Sequence, residues 1–143
     1  MDLETIVTIL KLKVFSGFDK LKKKVLDGYT GDLLSDVMAN SKEGDLWITR
    51  QVHQNIIAVA SLKDHAGIIM VHGAEPAKDT LEKALKENIP VMGTDLSGFE
   101  IAGKIYNLIK EKQDITLIES KKAMRMVFFY NFLEKCHAQG VSL

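Results

Sequence analysis

Three short apolar runs decide the fold: Leu46-Trp47-Ile48-Thr49, Ile68-Ile69-Met70-Val71-His72-Gly73 and Pro90-Val91-Met92-Gly93-Thr94-Asp95. Each run leads into a polar or glycine-bearing turn and then into a stretch whose apolar residues recur at helical spacing. Continuous apolar runs of this length are typical of strands buried on both faces of a parallel sheet. The sequence therefore predicts a three-layer α/β/α domain with a mainly parallel sheet, and ligands of such folds bind at the carboxyl ends of the strands.

Composition narrows the class of protein more than it narrows the function. The chain has 143 residues, 46% of them hydrophobic, and its 19 basic side chains balance its 19 acidic ones, so no bulk charge favours nucleic acid. No apolar run approaches the roughly 20 residues that a membrane span requires, and the first residues lack the basic start of a secretory signal. The single cysteine, Cys136, has no partner for an internal disulfide. We expect a soluble cytoplasmic protein with no nucleic-acid or membrane partner.

Local signals predict the elements that precede the first apolar run. Asp2 is placed to cap a first amphipathic helix, and a short strand is expected over residues 12–15. Residues 27–32 contain two glycines and predict a tight turn. Asp32 is expected to cap a helix over residues 33–40.

Three further helices are predicted after the strands of the apolar runs. The apolar spacing indicates a helix over residues 52–63, and Glu75-Pro76 is expected to begin the next helix, which Asn88 closes. Ser97-Gly98-Phe99-Glu100 matches a capping box and predicts the start of the last helix of the domain.

The turn after the first apolar run concentrates hydrogen-bond donors. Thr49, Arg50, Gln51, His53 and Gln54 lie at or near the predicted start of a helix, where free N–H groups and the helix dipole favour an anion. We therefore consider these residues candidate ligands of a phosphate or carboxylate. The alternative is a hydrogen-bonded helix cap with a surface arginine.

The next two turns contribute weaker candidates. His72 and Gly73 follow the second run, where a glycine lets the backbone approach a ligand closely. Thr94 and Ser97 follow the third run, and helix capping also explains them. The carboxylate of Asp95 repels phosphate, which argues against a simple anion pocket at this turn.

Catalytic and metal-binding patterns are not evident. His53, His65 and His72 lack zinc-ligand spacing, and His65 is expected at the opposite edge of the sheet from the other two. Cys136 and His137 are neighbours that point about 100° apart on a helix, so they do not form a nucleophile–base pair. We predict no catalytic residue, no metal and no cofactor.

Four runs carry a resemblance to a known family: Gly28-Tyr29-Thr30-Gly31-Asp32-Leu33-Leu34-Ser35-Asp36-Val37-Met38-Ala39, Gly44-Asp45-Leu46-Trp47-Ile48-Thr49, His53-Gln54-Asn55-Ile56-Ile57-Ala58-Val59-Ala60-Ser61-Leu62 and Leu96-Ser97-Gly98-Phe99-Glu100-Ile101-Ala102-Gly103. The chain resembles a small stand-alone DRTGG-domain protein over residues 1–110, although the letters D-R-T-G-G do not occur in it. The resemblance implies a fold similar to the N-terminal domain of HPr kinase. Related domains accompany phosphotransacetylases and nucleotide-regulated inorganic pyrophosphatases, where their role is accessory, either regulatory or dimer-forming.

Residues 111–143 lie outside the resemblance and form a predicted C-terminal extension. A strand is expected at 114–118, followed by a helix that Ser120 caps and that extends through Lys135. That helix has one broad apolar face, formed by Met124, Val127, Phe128, Phe132 and Cys136, and Met126, Phe129 and Leu133 lie beside it. Such a surface must be covered. We expect it to pack on its own domain or across a homodimer.

Three functions are compatible with this sequence. The first is a non-catalytic regulatory or ligand-sensing module that binds a nucleotide or another phosphorylated metabolite at the carboxyl edge of the sheet. The second is a small enzyme that acts on a phosphorylated metabolite, with His53 as acid/base and Arg50 holding the phosphate. The third is a pure interaction and dimerisation module. Convergence of the His53 and His72 turns on one deep pocket would favour the enzyme.

Overall fold

The computed structural model describes residues 1–140, except for the side chains of residues 112–116. The chain divides into two compact units, Met1–Ile109 and Lys110–Leu143. The helices are α1 (Leu3–Leu10), α2 (Leu34–Asn40), α3 (Asn55–Lys63), α4 (Lys78–Glu87) and α5 (Gly98–Ala138), and the strands are β1 (Lys13–Ser16), β2 (Asp27–Thr30), β3 (Asp45–Thr49), β4 (Gly67–Met70) and β5 (Val91–Gly93). Within this described part of the chain, no helix is both long and apolar enough to cross a membrane.

The sheet has the strand order β1-β5-β4-β3-β2, in which β2 to β5 are parallel and β1 runs antiparallel to β5. Successive parallel strands are neighbours, and a helix connects each pair. We call the end at which β2 to β5 begin the amino edge and the opposite end the carboxyl edge. The predicted mainly parallel sheet is confirmed.

Side chains alternate across the strands and build one hydrophobic core on each face. Ile48 and Ile69 belong to the core that α1 and the first turns of α5 cover, whereas Trp47, Ile68 and Met70 belong to the core that α2, α3 and α4 cover. Trp47 is fully buried, and its indole Nε1–H donates to the carbonyl of Gly31 at 2.8 Å. The helices on both faces confirm the predicted three-layer α/β/α fold.

Three predicted helix ends are confirmed. The Asp2 carboxylate accepts a hydrogen bond from the N–H of Thr5 at 2.9 Å and caps α1. Ser97 Oγ accepts from the N–H of Glu100 at 3.2 Å at the start of α5. Asn88 closes α4 in a left-handed conformation with φ of 55°, which asparagine tolerates better than most residues.

Two predicted helices begin later than expected. α3 begins at Asn55 rather than at residue 52 because the Val52 carbonyl is turned towards α4, where it accepts from the Thr80 hydroxyl at 2.7 Å and from the N–H of Ala77 at 3.1 Å. α4 begins at Lys78, after Glu75-Pro76.

Four other predictions are wrong. Residues 27–30 form strand β2, which pairs in parallel with β3, rather than a tight turn. Asp32 does not cap α2, whose N-terminal position is held by Leu33 without a side-chain hydrogen bond. The strand expected at 114–118 is helical, and Ser120 lies inside α5 instead of capping a new helix.

Candidate functional site at the carboxyl edge

A cleft of about 260 Å³ lies where β2, β3 and β4 end and α5 begins. Arg50, which follows β3, and Gly98, the first residue of α5, both line this cleft. The cleft is lined by Thr30, Gly31, Asp32, Ile48, Thr49, Arg50, Val71 and Gly98. Two of these residues, Thr49 and Arg50, are candidates that the sequence predicted.

Asp32 holds the turn that follows β3. Its carboxylate oxygen Oδ1 accepts from the Thr49 hydroxyl at 2.8 Å and from the N–H of Arg50 at 2.7 Å. Its carbonyl accepts from the side-chain amide of Gln51 at 2.9 Å. These bonds explain why Asp32 is not a helix cap. They also occupy the Thr49 and Gln51 side chains, which the sequence assigned to a ligand.

The Arg50 guanidinium remains available to a ligand. Arg50 is exposed, and within the described part of the chain its guanidinium makes no hydrogen bond or ion pair. The first turn of α5 adds backbone donors, because the N–H groups of Gly98 and Phe99 have no hydrogen-bond partner among the described residues. Space beside Gly98 is open, since a Cβ built there would meet nothing within 4 Å. A cationic residue and the first residue of a helix therefore line one cleft.

The other predicted donors of this turn are dispersed. His53 and Gln54 are exposed, and Gln54 holds the N-terminal position of α3 without a side-chain hydrogen bond. Neither residue lines the cleft that contains Arg50.

A second cleft, of about 540 Å³, lies at the same edge beside β1 and β5. It contains Gly73 and Thr94, together with Lys13, Phe15 and Glu75. Lys13 Nζ lies 3.1 Å from a Glu75 carboxylate oxygen and 5.0 Å from the centre of the Phe15 ring. Because the lysine is paired with a carboxylate and Asp95 also lines the space, this cleft is less suited to an anion than the first.

The turns that follow β4 and β5 form backbone hydrogen bonds with each other. The N–H of His72 donates to the carbonyl of Leu96 at 2.9 Å, and the N–H of Gly73 donates to the carbonyl of Thr94 at 2.8 Å. His72 is exposed and, like His53, lines neither cleft. The convergence of His53 and His72 that the enzyme hypothesis requires is therefore not found in these clefts. Among the described residues, no group of three or more acidic, histidine or cysteine side chains is arranged to hold a metal.

His65 is a polar residue whose environment the sequence did not predict, although its position at the amino edge is confirmed. It is 3% exposed and contacts the edge of Trp47 with ring centres 5.6 Å apart. The Ser41 hydroxyl donates to the Val37 carbonyl at 2.6 Å, so it accepts from His65 Nε2 at 2.8 Å, and this fixes the proton on Nε2. Among the residues that the structure describes, none forms a hydrogen bond with His65 Nδ1. Burial lowers the pKa of His65 to about 4, and the charges of Lys63 and Lys23 act in the same direction.

The helices on both faces of the mainly parallel sheet define a three-layer α/β domain with a cleft at its carboxyl edge. No family model matches the chain, and no curated protein matches it. One similar solved structure contains the CBS and DRTGG domains of the regulatory region of Clostridium perfringens pyrophosphatase, in complex with its activator diadenosine tetraphosphate. The TM-score is 0.56 at 20% sequence identity.

That likeness extends over part of each molecule. The match covers 71% of this chain and 44% of the pyrophosphatase fragment. At this identity the likeness establishes the fold alone. It supports a DRTGG/CBS-like fold and does not support the predicted identity as a stand-alone DRTGG protein.

Proposed function

We propose that the protein is a regulatory, ligand-sensing module that binds a nucleotide or another small phosphorylated metabolite in the cleft between Arg50 and α5. The observation that carries this proposal is that Arg50 and the first residue of α5 line the same cleft. Among the described residues, the Arg50 guanidinium has no hydrogen-bond or ion-pair partner. Phosphates bind well at helix N-termini because the unpaired N–H groups and the helix dipole both favour negative charge. Arginine adds paired donors that match phosphate geometry.

Two further observations support the proposal. Ligands of open α/β sheets bind outside the carboxyl ends of the strands, which is where this cleft lies. The pyrophosphatase regulatory region of similar fold is complexed with a nucleotide activator. A cytoplasmic location, where nucleotides are abundant, agrees with a chain that has a single cysteine.

The first experiment is a thermal-shift screen of the purified chain against ATP, ADP, AMP, diadenosine tetraphosphate and inorganic phosphate. Binding to the folded state raises the melting temperature in proportion to the logarithm of ligand concentration above the dissociation constant. We expect at least one nucleotide to stabilise the protein more than inorganic phosphate does. If none of the five raises the melting temperature at millimolar concentration, the proposal of a nucleotide ligand is wrong.

The second experiment locates the site by titration calorimetry of Arg50→Ala with the nucleotide that stabilises most. A hydrogen bond to a charged group contributes about 1.5–3 kcal/mol, so we expect affinity to fall by about tenfold or more. The matched control is Lys86→Ala, which removes the same unit charge from the last turn of α4, at the amino edge. Equal affinities in the parent and in Arg50→Ala would exclude this cleft.

A further inference from the structure

The part of α5 from residue 117 to residue 138, here called the distal helix, exposes many large apolar side chains. Phe129 is 60% exposed and Phe132 is 48% exposed. The others are Leu117, Ile118, Met124, Met126, Val127, Phe128 and Tyr130. Because a large side chain presents about 150–250 Å² when accessible, the nine together expose roughly 1,000 Å².

The distal helix exposes more apolar surface than monomeric proteins usually do. Monomeric proteins rarely expose apolar patches beyond about 300–600 Å². A stable interface between two proteins buries about 800 Å² on each partner. The nine side chains are distributed around the helix, so one partner helix would cover those on a single face rather than all of them.

One stripe of the distal helix has coiled-coil spacing. Its members are separated alternately by four and three residues, the spacing that keeps side chains on one seam of a paired helix. They are Ile118, Lys122, Arg125, Phe129, Phe132 and Cys136. Met126 and Leu133 flank this stripe on one side and Phe128 on the other.

We propose that two copies of the chain associate through antiparallel pairing of their distal helices, with the two-fold axis at Val127. This register places Ile118 against Cys136 of the second copy, Lys122 against Phe132 and Arg125 against Phe129. Every basic residue of the stripe then lies against an aromatic ring, an arrangement that cation–π attraction favours. The aliphatic parts of Lys122 and Arg125 pack on the seam while their charged ends reach solvent.

The same residues oppose a parallel pair. In parallel register Lys122 would face Lys122 of the second copy, and Arg125 would face Arg125, so like charges would meet along the seam. The antiparallel register moves the two Lys122 residues roughly 15 Å apart along the axis, from the rise of 1.5 Å per residue. That distance exceeds the Debye length of about 8 Å at physiological ionic strength.

Disulfide trapping tests the register in the full-length chain. In the proposed dimer Ile118→Cys lies level with the native Cys136 of the second copy, so mild oxidation should convert the variant to a covalent dimer. A bond within one chain is excluded, because the two positions lie roughly 27 Å apart on one helix and a disulfide spans at most about 7 Å between Cα atoms. The control is Ser120→Cys, which lies about 200° around the helix from Ile118 and should stay uncrosslinked.

Oxidation of the parent chain distinguishes antiparallel from parallel pairing of the distal helices. The two native Cys136 residues lie roughly 27 Å apart in the antiparallel dimer, so the oxidised parent should not form covalent dimers. Efficient crosslinking of the parent through Cys136 would indicate a parallel pair and overturn the proposal. Equal crosslinking of Ile118→Cys and Ser120→Cys would overturn it as well.

Charge substitutions test the proposed contacts between facing residues of the two distal helices. Light scattering measures the oligomeric state, and circular dichroism measures the helix content. Phe129→Lys places like charge beside Arg125 of the second copy and should give a folded monomer at concentrations where the parent is dimeric. Phe129→Glu, which meets Arg125 with the opposite charge, should retain more dimer than Phe129→Lys. Tyr130→Lys, at a position of similar exposure away from the stripe, should remain dimeric.

The oligomeric state of the parent chain tests whether a second copy covers the distal helix. A parent that is monomeric at high micromolar concentration would overturn the proposal, and binding of that monomer to vesicles of phosphatidylcholine and phosphatidylserine would assign the surface to a membrane instead. Equal dimer fractions for Phe129→Lys and Phe129→Glu would contradict the proposed contact between Phe129 and Arg125 of the second copy, and with it the antiparallel register.

Discussion

The amino edge contains a buried pair of polar side chains, whereas at the carboxyl edge an arginine and a histidine are exposed. At the amino edge, His65 and Ser41 are each 3% exposed and bonded to one another, and the Ser16 hydroxyl donates to the Ile89 carbonyl at 2.7 Å. At the carboxyl edge, Arg50 and His72 are exposed. A change at the amino edge should therefore cost stability, whereas a change at the carboxyl edge should mainly alter binding.

The largest expected effect is that of Gly17→Ala at the amino edge. Gly17 has φ of 76°, and a Cβ there would lie 2.4 Å from the Cα of Pro90. Because Cα is a backbone atom, a change of side-chain rotamer cannot relieve this clash. We expect overpacking and backbone strain to lower the free energy of unfolding by about 2–4 kcal/mol, measured by urea denaturation.

The matched control for this clash is Gly73→Ala at the carboxyl edge. Gly73 has a similar φ of 70°, but the nearest atom to an added Cβ is a side-chain oxygen of Asp95 at 3.2 Å. We expect a loss of about 1–2 kcal/mol, the cost of a left-handed conformation. Equal losses at the two glycines would contradict the difference between the edges.

The next effect is a pH dependence that originates at His65. The folded protein keeps this ring neutral until its pKa of about 4, while the unfolded chain binds a proton near the ordinary pKa of 6.5. Proton uptake therefore favours unfolding, and the His65 contribution to stability is complete above pH 6.5 and is lost as pH falls towards 4. The slope from one such group is at most about 1.4 kcal/mol per pH unit.

Two variants isolate that contribution in denaturation curves recorded from pH 7 to pH 4. His65→Gln keeps a donor near Ser41 without a titrating ring, so its stability should depend less on pH than that of the parent. Ser41→Ala keeps the ring but removes the acceptor of Nε2–H, so it should lose about 1–3 kcal/mol and retain the slope. An unchanged slope in His65→Gln would assign the pH dependence to other groups.

The smallest expected effect is that of Asp32→Asn at the carboxyl edge. The amide oxygen can still accept from the Thr49 hydroxyl and the Arg50 N–H, so we expect stability to change by less than about 1 kcal/mol. Removing the negative charge beside Arg50 should raise affinity for a phosphorylated ligand by about threefold to tenfold. Calorimetry would measure the change, and weaker binding would mean that the Asp32 carboxylate itself holds the ligand.

The sheet and its covering helices were predictable because β3, β4 and β5 are buried on both faces and their sequences are continuously apolar. Strand β2 was not predictable from its own residues. Asp27 and the two glycines at 28 and 31 favour a turn, and the extended conformation follows from pairing with β3, a tertiary contact. The helical state of residues 114–118 likewise comes from continuation of α5 against a local preference for strand.

The candidate site was predictable in place but not in detail. The position of Arg50 at the carboxyl edge was predictable, because strand ends and donor-rich turns are visible in the sequence. The sequence did not reveal that the Asp32 carboxylate would accept a hydrogen bond from the hydroxyl of Thr49, which lies 17 residues later. That bond engages a side chain that the sequence predicted to bind the ligand. Nor did the sequence reveal the Ser41–His65 pair, whose partners are 24 residues apart.

The two outermost strands bear on how copies of the chain can meet. An unpaired strand invites another chain to add to the sheet, and short length, charge and irregular register all discourage such addition. Strand β1 begins with Lys13 and shifts register between Val14 and Ser16, and β2 has only four residues, the first of them Asp27. Growth of the sheet from one molecule to the next is therefore disfavoured at both borders, and assembly is left to helical surfaces.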